Sequence, residues 1–314
     1  MDISEKFELH YYFADDSHAM DAIVRNKCEA EVIAIIQEIS AILNIPVNIE
    51  SEAYLEGGLR DLWKIFSRNS APVAVLVSII SVAISLYPKA DQERVSLEKE
   101  DLQLSVEERR LKILLLRQQI KENGIEGEII ETAKEVINNN YKIITRRSNF
   151  YKELTKYQKV SKIGVIKRSV TNQPLEEEIQ IQRKKFYKFI LKSHKLPPEV
   201  DEDAIIELIS PVIKSGNYSW KGIYKDEPIT FLMNDQNFRH EVLSGKVTFQ
   251  SGAIISCVLE KGRKLDEVGE VKYTGYTVTV VQGKEDKGIW EETPQGKRYK
   301  FTKRQKDNQN DLFE

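Results

Sequence analysis

The feature that most constrains this chain is a run of seventeen residues without a charge, at positions 71–87. Pro72 suits the first turn of a helix and Pro88 suits the region after its end, so the run predicts an apolar helix over 71–88. Seventeen residues are at the short limit for crossing a bilayer, and they also suit a helix in the centre of a folded core. The sequence therefore leaves two alternatives, a membrane segment and a buried core helix.

The same run carries small residues on one helical face. Ala74, Ser78, Ser81 and Ser85 recur at spacings of three and four residues, which places them on one side of a helix. Small side chains let two backbones approach closely, whereas lipid-facing positions gain nothing from hydroxyl groups. We therefore predict that this face packs against protein, either within the chain or in a homo-oligomer.

The N-terminal segment, residues 1–70, has the pattern of a small α/β domain. Apolar and polar residues alternate over 7–13, which predicts a strand, and apolar residues recur at helical spacing over 20–43. A second apolar strand pattern begins at 47–49, so strand, helix and strand together predict a βαβ crossover unit. Apolar residues within 59–66 then indicate a short amphipathic piece, with spacings of three, one and three residues.

Two charged amphipathic stretches occupy residues 89–140. The first has its apolar stripe between Leu102 and Ile120, and the second has its stripe between Ile129 and Ile137. Gly124 lies between them, where a helix is expected to end. The pattern predicts a charged helical hairpin.

Residues 141–196 form a basic α+β region in which we expect a short helix and a β-hairpin. Positions 141–195 hold fifteen Lys or Arg against four Glu, a local net charge of +11, although the whole chain has a net charge of −2. Aromatic residues interleave with the cations, a combination that neutralises phosphates and stacks on bases. The same cations also suit anionic lipid headgroups, and a solvated basic face is the simplest alternative. The candidate residues for nucleic-acid or anionic-lipid binding are Arg146, Arg147, Lys184, Lys185, Phe150 and Phe186.

Residues 197–282 are predicted to form a small β barrel with one inserted helix. Several short β-branched segments alternate with turn residues, and Asp235 suits the N-cap of a single helix between them. Barrel closure removes exposed strand edges, which favours a barrel over an open sheet. Beyond the barrel, residues 283–314 have the composition of a polar tail. The residues expected in the barrel core are Trp220, Phe231, Phe238, Cys257 and Leu259. The fold class is therefore α+β and multidomain.

Motifs for common catalytic chemistry are absent from the sequence. It contains no phosphate-binding loop, no dinucleotide fingerprint, no nucleophile elbow and no His-Glu-x-x-His pair. Its two cysteines, Cys28 and Cys257, fall on apolar patterns and are expected in the core. We predict no catalytic residue, no metal and no cofactor, and favour a non-enzymatic protein. An enzyme with its site near Asp16 and His18 is the weakest of the hypotheses.

The C-terminal residues contain a short recognisable pattern. Gln309, Asp311, Leu312 and Phe313, in the sequence QNDLF, resemble the bacterial sliding-clamp-binding peptide, whose preferred form is Gln-Leu-Ser/Asp-Leu-Phe. Asn310 departs from this pattern, which has leucine at that position. The resemblance implies a sliding clamp as partner, with the Leu-Phe pair as the apolar anchors.

Two functional hypotheses follow. The leading one is a bacterial-type, non-enzymatic sensor, effector or adaptor, associated with a membrane through 71–87, whose C-terminal β domain binds a partner or ligand. The alternative is a soluble nucleic-acid-associated adaptor that uses 141–195 and QNDLF. Residues 1–10 carry four charges and lack the apolar centre of a signal peptide, so we expect a cytoplasmic or inner-membrane-associated protein.

Overall fold

The chain divides into two compact units. Unit 1 comprises Met1–His194 with Leu265–Glu270, and unit 2 comprises Lys195–Lys264 with Val271–Glu314. Both units contain helices and strands, which confirms the α+β multidomain class. The computed structural model describes residues 4–15, 19–52, 59–66, 71–86, 106–122, 126–216 and 218–310.

Unit 1 is built on an antiparallel sheet. Among the described residues its strands are β1 (Ser4–Phe13), β2 (Asn48–Glu52), β3 (Leu59–Phe66), β4 (Val160–Arg168) and β5 (Ile179–Gln182). Their spatial order is β2-β3-β1-β4-β5. Because β1 and β2 are each antiparallel to β3, they run parallel to one another, with β3 between them. The predicted βαβ arrangement is therefore confirmed, with one strand inserted into it.

Residues 59–66, where the sequence indicated a short amphipathic piece, form the strand β3. Asp61, Trp63 and Ile65 are buried on one side of the sheet, and Leu62 is buried on the other. A strand that is buried on both faces does not show the simple alternation of a half-exposed strand. This burial explains why the apolar residues of 59–66 do not alternate strictly with polar ones.

Helices cover one face of this sheet. They are α1 (Ala22–Leu43), α2 (Ala71–Ser85), α3 (Val106–Lys121), α4 (Glu126–Asn138), α5 (Tyr141–Lys156) and a 3-10 helix (Arg183–Phe189). The Asp21 carboxylate caps α1 by accepting hydrogen bonds from the backbone N–H groups of Ile23 and Val24. Helices α3 and α4 pack together, which confirms the predicted charged hairpin.

The apolar helix α2 lies in the core of unit 1, where it packs on β1, β4, α1 and α4. Its fully buried residues are Val73, Leu76, Val77, Ile80, Ala83 and Ile84. Residues 71–85 thus adopt the core-helix alternative of the sequence analysis. Within the described part of the chain, no helix combines the length and apolarity needed to cross a membrane.

The small-residue face of α2 is occupied by local hydrogen bonds. The hydroxyls of Ser78, Ser81 and Ser85 donate to backbone carbonyls one turn earlier in the helix. Ser78 also accepts a hydrogen bond from Lys167 Nζ in β4, at 3.2 Å. Ser78 and Ser81 are buried, and Ala74 is half-buried like Ser85.

Unit 2 contains a closed five-stranded barrel, which confirms the predicted small β barrel with an inserted helix. Its elements are β6 (Lys195–Ser210), β7 (Trp220–Tyr224), β8 (Glu227–Met233), α6 (Gln236–Leu243), β9 (Ile254–Leu265) and β10 (Val271–Asp286). The strands pair in the order β10-β8-β7-β6-β9, and β9 pairs again with β10. Strands β8 and β10 are parallel, and α6 connects β8 to β9. This connectivity is that of the OB-fold.

The barrel core contains all five residues expected from the sequence. Trp220, Phe231, Phe238, Cys257 and Leu259 are each at most 1% exposed. The Asp235 carboxylate caps α6 by accepting from Phe238 N at 3.0 Å, and it also accepts from Val281 N of β10 at 2.8 Å. One side chain therefore both begins the helix and fixes it to the barrel wall.

Regular structure continues into the segment 283–314 that the sequence analysis treated as a polar tail. The end of β10 pairs with β11 (Ile289–Glu292), and α7 (Pro294–Asn310) follows. Thr293 begins α7 by accepting a hydrogen bond from Gly296 N and donating to the Gln282 carbonyl. Local capping and strand pairing thus order a segment whose composition alone indicated a tail.

Candidate functional site

Three of the six residues predicted to bind a polyanion are in the interior of unit 1. Phe150 and Phe186 are fully buried, and Arg147 is only 2% exposed. The Arg147 guanidinium donates to the carbonyls of Ala83 and Leu86, at 3.2 Å each, so it caps the C-terminal end of α2. Burial lowers its pKa to about 10. These three residues are core residues, and they are not available to a phosphate or a base.

The other three predicted residues, Arg146, Lys184 and Lys185, do not form a single basic surface. Arg146 pairs with Glu31 at 3.2 Å on the neighbouring helix α1. Lys184 and Lys185 are exposed on the 3-10 helix. The high positive charge of residues 141–195 is therefore distributed among internal caps, ion pairs and scattered surface positions.

Two further predictions fall wholly or partly outside the described residues. Asp16 and His18 lie outside them, as do Asp311, Leu312 and Phe313. Gln309 lies in the last turn of the α7 backbone. The resemblance to the clamp-binding peptide remains a prediction. Among the described residues, no group of His, Cys, Asp and Glu side chains has the arrangement of a metal site.

A network of buried charges lies on the sheet face of unit 1 opposite the helices, and the sequence analysis did not predict it. Glu8 is 1% exposed and accepts from Arg168 Nε at 2.5 Å, while Arg60 lies 3.3 Å away on β3. Lys6, two residues earlier on β1, donates to Glu52 at 2.6 Å. These carboxylates and cations pair with one another within the face.

His10 and Tyr12 continue this row around the carboxylate of Glu178. Tyr12 donates to Glu178 at 2.7 Å, and His10 Nδ1 lies 3.5 Å from its other oxygen. Burial lowers the pKa of His10. Burial alone would raise the pKa of Glu178, but hydrogen bonds from Tyr12 and Gln180 outweigh it and lower that pKa. The Glu178 carboxylate lies over Gly164, where a Cβ atom would approach to 1.9 Å.

The outer surface of the barrel is acidic along β6 and at the turn after β7. A cavity of about 430 Å³ is lined there by Asp201, Asp203, Glu207 and Asp226, together with Lys225 and several aliphatic side chains. Four carboxylates repel a polyanion. This side of unit 2 is therefore unsuited to nucleic acid.

The opposite charge is concentrated on α7. Lys297, Lys300, Phe301 and Arg304 follow one another at i, i+3, i+4 and i+7, so they share one face of the helix. We call these four residues the α7 stripe. All four are exposed, and Phe301 is 63% exposed. An exposed phenylalanine among three cations combines phosphate-binding and base-stacking groups on one surface.

Acidic residues near α7 position the helix and leave most of its cations available. Lys303 pairs with Glu202 of β6, and Lys300 pairs with Glu292 of β11 at 2.9 Å. A hydrogen bond from Lys300 lowers the pKa of Glu292, and the charges of Lys297 and Arg304 act in the same direction. Lys297 and Arg304 make no ion pair with any residue that the structure describes.

A second exposed aromatic residue lies on β11, the strand that precedes α7. Trp290 is 48% exposed, and its ring lies against Gly283 of β10. A Cβ atom at Gly283 would lie 2.1 Å from the ring, so glycine permits this close approach. The indole is therefore held against the strand while about half of its surface stays accessible.

A stretch of the sequence shorter than 141–195 indicates this surface. Residues 293–306 include six Lys or Arg, Tyr299 and Phe301, and no Asp or Glu. The longer stretch 141–195 has more cations in total, but it folds with many of them turned inward or paired. Comparisons with protein-family models, curated proteins and solved structures find no match for this chain.

Proposed function

We propose that this chain is a non-enzymatic adaptor whose unit 2 binds single-stranded nucleic acid through the α7 stripe and Trp290. The observation that carries the proposal is the alignment of Lys297, Lys300, Phe301 and Arg304 on one exposed face of α7. It is the nucleic-acid hypothesis of the sequence analysis, with the binding surface moved from 141–195 to 290–304.

Cations and aromatic rings on this surface would each contribute to binding of a single strand. Cations that contact the backbone together release condensed counterions, which gives affinity without sequence preference. Exposed aromatic rings stack on bases, and each stacked base contributes roughly 1–3 kcal/mol. Phe301 and Trp290 supply two such rings on unit 2.

A single strand suits this surface better than a duplex. The faces of duplex bases are covered by their neighbours in the stack, whereas a single strand can turn its bases onto protein rings. Barrels of this connectivity also bind oligonucleotides and oligosaccharides in other proteins, usually over the second and third strands. Since fold alone does not determine function, the proposal depends on α7.

Charge reversal tests the proposal. The double variant K297E/R304E is expected to bind a fluorescein-labelled oligothymidine strand much more weakly than the unaltered chain. The plot of log affinity against log salt concentration should become shallower by about 1.4, about 0.7 for each lost phosphate contact with a single strand. Fluorescence anisotropy across a salt series measures both quantities.

The matched control is K184E/K192E, which makes the same charge change at two exposed lysines of the basic region 141–195. We expect this variant to keep the affinity and the salt slope of the unaltered chain. Loss of binding in the control with retention in K297E/R304E would instead locate the interface in unit 1.

A further inference from the structure

Unit 1 has a groove between α1 and the edge strand β2. The groove has a volume of about 600 Å³, and residues from α1, the following turn, β2 and β3 line it. Asn44 ends α1 in a left-handed conformation, with φ of 56°, and turns the chain sharply toward β2. The groove therefore runs between a helix and a strand that are joined at one end.

The strand side of this groove is β2, at the edge of the sheet that the structure describes. β2 is the last strand of the sheet and pairs with β3 on one side. No strand in the described part of the chain pairs with its other side. Such an edge can accept an added strand, whose backbone then makes the missing hydrogen bonds.

The lining indicates what kind of strand fits. Ile33 of α1, Val47 and Ile49 beside or on β2, and Trp63 of β3 form the apolar part of the lining. Its polar part comprises Gln37, Ser40, Asn44, Asn48 and Ser51. Among the described lining residues Glu29 is the only charged one, and it makes no ion pair with any described residue. Aliphatic side chains and one cation therefore complement the groove.

We infer that this groove binds an extended peptide of a partner protein, which adds a strand to the edge of β2. Every second side chain of the peptide is aliphatic and enters the groove, and a Lys or Arg lies against Glu29. Backbone hydrogen bonds supply affinity, and the alternate side chains supply specificity. This site is in unit 1, so it is independent of the proposed nucleic-acid surface on unit 2.

A phage-displayed library of random heptapeptides, selected on the full chain, tests this inference. We expect the enriched peptides to alternate aliphatic residues and to contain a Lys or Arg. With a synthetic selected peptide bound, the backbone amides of residues 48–52 should exchange with solvent more slowly.

Two tryptophan variants identify the groove as the site. Gln37 is an exposed lining residue of α1, so Q37W fills the groove from its surface. This variant is expected to weaken the selected peptides at least about tenfold, or 1.4 kcal/mol. Gln118 is exposed on α3, and Q118W is the matched control, with unchanged affinity expected.

Several results would overturn the inference. They are a selection without enrichment, peptides that bind Q37W as tightly as the unaltered chain, and slowed exchange at amides other than those of β2. The variant K297E/R304E should bind the selected peptides normally. Failure of the peptide site is therefore distinguishable from failure of the nucleic-acid proposal.

Discussion

Replacing Glu8 with glutamine is expected to lower the free energy of unfolding of unit 1 by about 3–5 kcal/mol. Glu8 is buried between Arg168 and Arg60, and E8Q keeps its shape while removing its negative charge. Two guanidinium groups then lose the carboxylate that lies between them. Native-state hydrogen exchange of the β1 and β4 amides measures the change within unit 1.

The control for this prediction is E177Q, at an exposed glutamate of the segment between β4 and β5. Its effect should be within about 0.5 kcal/mol. The triple variant E8M/R60M/R168M removes the whole charge cluster and should recover much of the stability lost in E8Q. A loss below about 1 kcal/mol in E8Q would mean that the two arginines are adequately solvated without Glu8.

Replacing Arg147 with methionine is the second large expected effect, a loss of about 3 kcal/mol. The buried guanidinium donates to two carbonyls at the end of α2, and hydrogen bonds to charged groups contribute about 1.5–3 kcal/mol each. No described carboxylate pairs with the Arg147 guanidinium. Its positive charge is instead stabilised by the negative end of the α2 dipole. R147M keeps the apolar volume and leaves those carbonyls without a partner.

The adjacent arginine provides the comparison. Arg146 pairs with Glu31 near the surface, where both groups are partly solvated, so R146M should cost less than about 1 kcal/mol. Urea denaturation of the two variants measures the difference. Equal losses in R146M and R147M would contradict the capping role of Arg147.

Elements with a clear period could be predicted from the sequence. The helices α1 and α2 and the barrel strands follow apolar repeats, and Asp235 precedes its helix as a capping residue should. For residues 71–85 the sequence left two alternatives, a core helix and a membrane segment, because an apolar helix of this length is compatible with both environments. The packing of other helices and strands around α2 distinguishes the two alternatives, and the spacing of apolar residues in the sequence does not reveal that packing.

The candidate site was harder to predict because the number of Lys and Arg residues in a segment does not show which of their side chains face solvent. Arg147 follows Ile143 and Ile144 and precedes Tyr151 on the buried side of α5, so helical spacing does indicate its inward position. Its residue type suggested a surface role instead. The α7 stripe was overlooked because a polar composition indicated a tail, whereas strand pairing by β11 and the Thr293 cap order the segment.

The most direct test of the account is photocrosslinking of the full chain to a single strand of about 16 nucleotides that contains 5-bromouracil. Mass spectrometry of the digested complex identifies the residues that contact the bases. Crosslinks are expected at Trp290 and Phe301, and they should be lost together with affinity in K297E/R304E. Crosslinks confined to residues 141–195, or none at a protein concentration that saturates binding, would contradict it.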